Sequence, residues 1–127
     1  MLRTLMIEDN DIFRKTLKRI LTSKFPSMQI EEAVDGKEAF SKIEVQPPEI
    51  IFMDINLPGE NGIQLSRRIK EFHPHISIVI ITSYDSPEYR EAAYESGADR
   101  FISKNKSSIK EIAETVASLL ILEPDPH

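Results

Sequence analysis

Residues 50–54 are Ile-Ile-Phe-Met-Asp, four apolar side chains followed directly by a carboxylate. A second run, Ile78-Val79-Ile80-Ile81, is just as continuous. Strands with helices packed on both faces are apolar at every position, whereas strands with one face in water alternate apolar and polar side chains. The two runs therefore predict central strands of a parallel sheet.

Three further short runs extend this pattern along the chain. The five candidate strands are Thr4–Ile7, Met28–Ala33, Ile50–Met53, Ile78–Thr82 and Arg100–Ser103, whose first residues stand 24, 22, 28 and 22 positions apart. Each interval has room for one helix and two loops, the size of a strand-helix unit. The sequence thus predicts an α/β fold of the (βα)5 type, a single doubly wound domain with a five-stranded parallel sheet between helical layers.

The intervals between the strands carry helix signals. In the first interval Phe13, Leu17, Ile20 and Leu21 recur at helical spacing. The capping signals of later intervals are Asp35 with Glu38, Ser86 with Pro87, and Ser108 with Glu111, and the stop signals are Pro74 and Gly97. These residues predict where the helices begin and end.

Length and composition limit the class of protein. The chain has 127 residues, no cysteine, and 16 basic against 21 acidic residues, for a net charge of -5. One domain over residues 1–122 suits this length, and residues 123–127 are expected to form a tail or the start of a linker. The acidic balance disfavours direct binding of nucleic acid.

No stretch approaches the ~20 apolar residues of a membrane span, and no signal peptide is evident, so a cytoplasmic location is expected.

Polar side chains follow four of the predicted strands. Glu8-Asp9 follows the first, Asp54 the third, Thr82-Ser83 closes the fourth, and Ser103-Lys104 closes the fifth. Ligands of an open parallel sheet bind beyond the carboxyl ends of its strands. If the first and third strands are neighbours, three carboxylates meet there beside a hydroxyl and an ammonium. Carboxylates without thiolate or imidazole ligands favour Mg²⁺ or Mn²⁺ over zinc.

The ordered set of motifs resembles the receiver domain of two-component response regulators, over residues 2–122. The matching pieces are Met6-Ile7-Glu8-Asp9-Asn10, Ile51 to Gly59 with Gly62, Ile80-Ile81-Thr82-Ser83, Ser96-Gly97-Ala98-Asp99 and Phe101-Ile102-Ser103-Lys104. The resemblance implies the flavodoxin-like strand order 2-1-3-4-5. It also implies a phosphorylation-activated switch whose donor is a phosphohistidine of a histidine kinase or phosphotransfer protein.

The resemblance assigns a role to each matching residue. Asp54 would accept the phosphoryl group, with Thr82 and Lys104 contacting its oxygens. Mg²⁺, or Mn²⁺ in its place, would be bound directly by Asp9, Asp54 and the backbone carbonyl of Asn56, and by Glu8 through water. Phe101 stands where the family has an aromatic that moves on activation. Output would pass through the face of helix 4, strand 5 and helix 5, with homodimer formation as one outcome.

Three positions depart from the common family pattern. Glu8 replaces a frequent aspartate, and the longer side chain suits a ligand that acts through water. Phe101 lacks the hydroxyl of the frequent tyrosine, so a switch there would work through packing. Asn105 replaces a common proline that follows a cis peptide bond, which leaves the geometry of the Lys104-Asn105 bond open.

Two further groups of residues are interpreted from their positions. Asn56 and Tyr84 would border the path of a water that hydrolyses the phosphorylated aspartate, and we expect the Tyr84 ring to block that water. On the first helix, Ile12, Lys15 and Arg19 would face outward and dock the kinase. The basic run that includes Arg14 and Lys18 is read either as a solvated helix face or as a patch for a partner.

Two other functions stay open on sequence alone. An aspartate-nucleophile phosphatase of the haloacid dehalogenase type would need a second aspartate two residues after Asp54, but Asn56 stands there. A phosphorylation-independent docking module would usually lack one of the acids or the lysine, and here all are present. No G-x-x-x-x-G-K-[ST] motif occurs, which excludes a P-loop nucleotidase. We therefore expect no turnover of external substrates.

Overall fold

The computed structural model describes residues 2–122, so the predicted tail, residues 123–127, lies outside the described residues. Over that range five strands alternate with five helices. They are β1 (Arg3–Ile7), α1 (Asp11–Lys24), β2 (Gln29–Ala33), α2 (Gly36–Val45), β3 (Ile50–Met53), α3 (Gly62–Phe72), β4 (Ser77–Thr82), α4 (Pro87–Glu95), β5 (Arg100–Ser103) and α5 (Ile109–Leu122). The predicted strands are confirmed, although β1 and β4 begin one residue earlier than expected and β2 one residue later.

The strands form one parallel sheet in the order β2-β1-β3-β4-β5, which confirms the predicted flavodoxin-like topology. In the register, Ile7 lies opposite Met53, and Met53 lies opposite Ile80. β1 and β3 therefore end level with one another, and β4 runs on to Thr82, two residues past Ile80. This register brings the polar residues that follow each strand to one edge of the sheet.

Helices cover both faces of the sheet, as the continuous apolar runs predicted. Alternate side chains of each central strand enter different hydrophobic clusters: Ile51 and Met53 pack with residues of α2, α3 and α4, whereas Ile50 and Phe52 pack with residues of α1 and α5. All four β3 side chains are at most 6% exposed. Burying each of them is worth about 1.5–3 kcal/mol, which explains why a polar residue first occurs where the strand ends.

Local capping sets the helix ends. Ser108 and Glu111 form the predicted reciprocal capping box at α5. At α2 the box is only half formed, because Asp35 accepts from the backbone of Glu38 while the Glu38 carboxylate accepts from Val34 N instead. Gly97 follows α4 with a φ of 104°, a backbone conformation that favours glycine. Among residues 2–122, no helix combines the length and the apolar character that a membrane crossing requires.

Candidate functional site

The residues after β1, β3 and β5 are held by the sheet although they lie beyond the strands. Glu8 N donates to Ala33 O at 2.9 Å, Asp54 N to Ile7 O at 3.1 Å, and Lys104 N to Thr82 O at 2.8 Å. Each bond continues the hydrogen bonding of a strand pair by one residue. The sheet therefore sets the backbone positions of Glu8, Asp54 and Lys104.

Lys104 joins the two buried carboxylates. Its Nζ donates to Glu8 Oε1 at 2.5 Å and to Asp54 Oδ2 at 3.1 Å, and it lies 4.1 Å from the centre of the Phe13 ring. Glu8 and Asp54 are only 6% and 8% exposed. Buried charges are tolerated when they are paired and hydrogen-bonded. We call these side chains the Glu8–Lys104–Asp54 triad.

The protonation of Glu8 reflects this burial. Removal from water raises the pKa of the Glu8 carboxyl above its ordinary value, and the nearby charge of Asp54 raises it further. The hydrogen bond and positive charge of Lys104 act in the opposite direction, as does the hydrogen bond from Asn10 N. The ammonium of Lys104 thus offsets only part of the effect of burial and of the Asp54 charge on the pKa of Glu8.

Asp54 is oriented by both of its oxygens. Oδ2 accepts from Lys104, and Oδ1 accepts from Asn56 N at 3.3 Å. The second bond is local and comes from the turn that follows β3. The carboxylate is therefore held at the edge of the sheet before any ligand arrives.

An open cavity of about 330 Å³ lies against the triad. Its wall is formed by Glu8, Asp9, Asn10, Asp54, Asn56, Ser83, Tyr84 and Lys104. Most of the predicted site residues are thus brought together. Of the predicted catalytic and metal-binding residues, Thr82 alone is not part of this wall: it is fully buried, and its hydroxyl oxygen accepts from Tyr84 N at 3.1 Å.

The chemistry of the cavity wall fits a hard divalent cation. It offers carboxylate, amide, hydroxyl and main-chain oxygens and neither imidazole nor thiolate, the donor set that suits Mg²⁺ or Mn²⁺. Three carboxylates face one ammonium there, so negative charge is in excess. Within residues 2–122, no three carboxylate or imidazole side chains are arranged to hold an ion as they stand. The exposed Asp9 is free to turn, whereas Glu8 and Asp54 are engaged by Lys104.

Other predicted residues lie outside the cavity. Phe101 is 8% exposed, in the larger hydrophobic cluster, and the Arg90 guanidinium lies 5.0 Å from the centre of its ring. On α1, Ile12 is 81% exposed, and Lys15 and Arg19 are also exposed. Their outward position agrees with the surface expected of them, while their role in docking stays a prediction.

Arg14 is the residue that the sequence interpretation misplaced. It is buried rather than part of a solvated or partner-binding face, and its guanidinium donates to Glu8 O at 2.7 Å, Glu32 Oε1 at 2.8 Å and Asp11 Oδ1 at 2.6 Å. The spacing of Arg14, Leu17 and Leu21 on one helix face was the available signal. Arg14, on the buried face of α1, therefore holds the main-chain oxygen of Glu8 in place.

Asn105 stands where the resemblance led us to expect a proline, and it forms hydrogen bonds at that position. The Lys104-Asn105 peptide bond is trans, and the Asn105 side chain donates to Ser83 O at 2.8 Å. Asn105 N donates to Ser103 Oγ at 3.1 Å, and that hydroxyl donates to Asp85 Oδ2 at 2.6 Å. Hydrogen bonds to the Asp85 carboxylate, chiefly from the Ser103 hydroxyl and also from the Asn105 side chain, lower the pKa of Asp85. They fasten the loop after β5 to the loop after β4.

Comparison with known proteins defines the class. The model of the response regulator receiver domain matches residues 4–117, and the chain belongs to this family. Receiver domains of response regulators receive phosphoryl groups from histidine kinases and act as signalling switches in two-component systems.

Individual relatives agree with this assignment. The chain is 34% identical over 104 residues to the sensory transduction protein LytT of Bacillus subtilis, covering 82% of this chain and 42% of LytT. It is 32% identical over 102 residues to the chemotaxis protein CheY of Halobacterium salinarum, covering 80% of this chain and 83% of that CheY. The chain spans about half or less of the length of several other curated relatives, such as 44% of the transcriptional regulatory protein DegU of Brevibacillus brevis.

Solved structures show the same fold. A CheY-like receiver domain protein from Methanospirillum hungatei superposes with a TM-score of 0.82 at 26% identity, covering 95% of this chain and 94% of that one. The Mn²⁺-bound form of response regulator Rcp1 superposes with a TM-score of 0.88 at 19% identity over 100% of both chains. At that identity the second likeness concerns the fold alone.

Proposed function

We propose that this chain is a phosphorylation-activated signalling switch whose Asp54 accepts a phosphoryl group from a phosphohistidine of a histidine kinase or phosphotransfer protein. The observation that carries the proposal is the Glu8–Lys104–Asp54 triad at the wall of an open cavity. It supplies a nucleophilic carboxylate, a cation beside it and space for a transferred group. Membership of the receiver family supports the same function.

The transfer needs a nucleophile and compensation of charge. An Asp54 oxygen forms a bond to phosphorus while the phosphorus–nitrogen bond of the donor breaks, and the imidazole nitrogen leaves with the electron pair. Negative charge is spread over the equatorial phosphoryl oxygens during this step. Lys104 Nζ, 3.1 Å from Asp54 Oδ2, needs only a small shift to donate to one of those oxygens.

Receiver domains bind Mg²⁺ or Mn²⁺ at their acidic site. In this chain Asp9, Asp54 and the Asn56 carbonyl would hold the ion, with Glu8 acting through water. Two carboxylates leave coordination positions for waters and for a phosphoryl oxygen. The bound ion supplies positive charge to the phosphoryl oxygens.

The output step would link Asp54 to Phe101. The Thr82 hydroxyl, which now accepts from Tyr84 N, would reorient toward the phosphoryl group, and Phe101 would repack in response. The Arg90 guanidinium over the Phe101 ring places a residue of α4 where it would sense this repacking. Partner binding or self-association through α4, β5 and α5 would then change, by as much as the two states differ in affinity.

One assay distinguishes the proposal from its rivals. The chain is incubated with a small phosphodonor, with and without Mg²⁺, alongside Asp54→Asn as the control. Mg²⁺-dependent labelling that is lost in Asp54→Asn supports the switch. Rapid turnover of phosphoesters would indicate a phosphatase, and no labelling under any condition would indicate a docking module.

A further inference from the structure

Two tyrosines stack at the edge of the cavity. The rings of Tyr84 and Tyr89 lie 5.3 Å apart, centre to centre, with an angle of 39° between their planes. They are 40% and 41% exposed, so each ring has one face on its neighbour and another in water. Tyr84 is part of the cavity wall, whereas Tyr89 is not. Tyr89 therefore reaches the cavity only through Tyr84.

The backbone beneath the pair is fixed at both ends. Tyr84 N donates to Thr82 Oγ1, and Tyr89 N donates to the capping hydroxyl of Ser86 at 3.4 Å. The loop between them is fastened by the bonds of Asn105 to Ser83 O and of Ser103 to Asp85. With the backbone held in this way, the main remaining freedom is rotation of the tyrosine side chains.

An exposed tyrosine without a neighbour populates several rotamers. An aromatic partner at this distance favours the rotamer that keeps the rings in contact. The stack thus selects one position of the Tyr84 ring, in the wall of the cavity that Asp54 also lines. The hydrogen bond of Tyr84 N to Thr82 holds only the backbone of Tyr84 and does not select a rotamer of its side chain.

We propose that Tyr89 is a positioning residue, which holds the Tyr84 ring across the path of the water that hydrolyses phosphorylated Asp54. The inference rests on the proposed function. In that hydrolysis a water oxygen bonds to phosphorus, the bond between phosphorus and the Asp54 oxygen breaks, and the carboxylate leaves with the electron pair. The proton of the water passes to a phosphoryl oxygen, and inorganic phosphate is released. Holding the ring in place lengthens the life of the signal.

The test compares the loss of phosphate from the labelled chain at saturating Mg²⁺. Tyr89→Ala should speed the loss about twofold to tenfold, the range that an aromatic pair supplies. Tyr89→Phe keeps the ring and should retain the parental rate. Tyr94→Ala removes a tyrosine of the same helix with similar exposure, 43%, and should also retain it. The double variant, Tyr84→Ala with Tyr89→Ala, should lose phosphate no faster than Tyr84→Ala alone. Both substitutions act through the Tyr84 ring, so their effects should not add.

A second measurement does not depend on phosphorylation. In the metal-free, unphosphorylated chain, Tyr89→Ala should shift the ring proton resonances of Tyr84, and Tyr94→Ala should leave them in place. The inference is overturned if Tyr89→Ala is labelled but decays at the parental rate, or if its effect adds fully to that of Tyr84→Ala. Failure of every variant and of the parent to be labelled at Asp54 would instead overturn the proposed function, and this inference with it.

Discussion

A β-carbon placed on Gly62 would lie 2.2 Å from the main-chain oxygen of Asp54. No real β-carbon lies that close to a heavy atom to which it is not bonded, and the neighbour is backbone that the sheet already holds. The start of α3 can therefore approach the proposed phosphoacceptor only because residue 62 has no side chain.

Gly62→Ala should destabilise the fold by about 3 kcal/mol, the upper end of the usual cost of overpacking. The measurement is urea unfolding of both proteins. Gly59→Ala is the comparison, because Gly59 has a φ of 75° but nothing near its missing β-carbon. It should cost about 1 kcal/mol from backbone strain alone. Equal losses in the two variants would contradict the steric explanation.

Glu32 should contribute a pH-dependent part of the stability. The hydrogen bond from Lys18 chiefly, and that from Arg14, lower the pKa of the Glu32 carboxyl below its ordinary value of 4.5. A depressed carboxyl pKa stabilises the fold above about pH 4.5, and this stability is lost as the pH falls through the folded-state pKa. Glu32→Gln should thus cost about 2 kcal/mol at pH 7, since buried Arg14 loses a charged partner. The cost should shrink in acid.

The neighbouring strand residue provides a control for this effect. Glu31 is exposed on the same strand, so Glu31→Gln should change the unfolding free energy little at either pH. A loss for Glu32→Gln that is the same at pH 7 and pH 3 would show that packing, rather than ionisation, is responsible.

Asp9 should govern the response to metal. Asp9→Ala removes a direct ligand in our proposal, so labelling by a small phosphodonor should lose its dependence on Mg²⁺ concentration. Asp54→Asn should abolish labelling altogether, because an amide is a poor nucleophile. Glu44→Ala, which removes an exposed acid of α2, should titrate with Mg²⁺ like the parent. A parental Mg²⁺ response in Asp9→Ala would remove Asp9 from the ligand set.

Charge on the exposed face of α1 should affect only transfer from the kinase. Lys15→Glu should slow phosphotransfer from a histidine kinase while labelling by a small phosphodonor proceeds as before, because Lys15 is exposed and is not part of the cavity wall. Lys24→Glu makes the same charge change at the far end of the helix and should have the smaller effect. Equal loss in both assays would mean that the site itself is damaged.

Activation should change the surroundings of Phe101. Addition of an unhydrolysable phosphoryl mimic with Mg²⁺ should shift the ring resonances of Phe101 and alter self-association, measured by NMR and by sedimentation. The Asp54→Asn variant should show neither change. Unaltered resonances and an unaltered oligomeric state in the parent would refute output through α4, β5 and α5.

The sequence alone was sufficient for the layers and for about half of the helix ends. Strands such as Ile50–Met53 are apolar at every position because both faces are covered, and this property is visible in the residues themselves. Capping pairs such as Ser108 with Glu111 are also local, since both partners lie within one turn. Half of the box at Asp35 failed because the Glu38 carboxylate has a second backbone donor, Val34 N, within reach.

Only the tertiary structure determined which residues of the site are hydrogen-bonded to one another. Lys104 and Glu8 are 96 positions apart, and their contact depends on which strands are neighbours and in which register. Arg14 is buried where three acceptors converge on it, and one of them, Glu32, is 18 positions away and comes within reach only in the folded chain. The Asn105 side chain likewise donates to Ser83 O, 22 positions away, because the assembled loops bring the two residues together. Local patterns report burial and capping, whereas long-range hydrogen bonds exist only once the sheet has brought distant residues together.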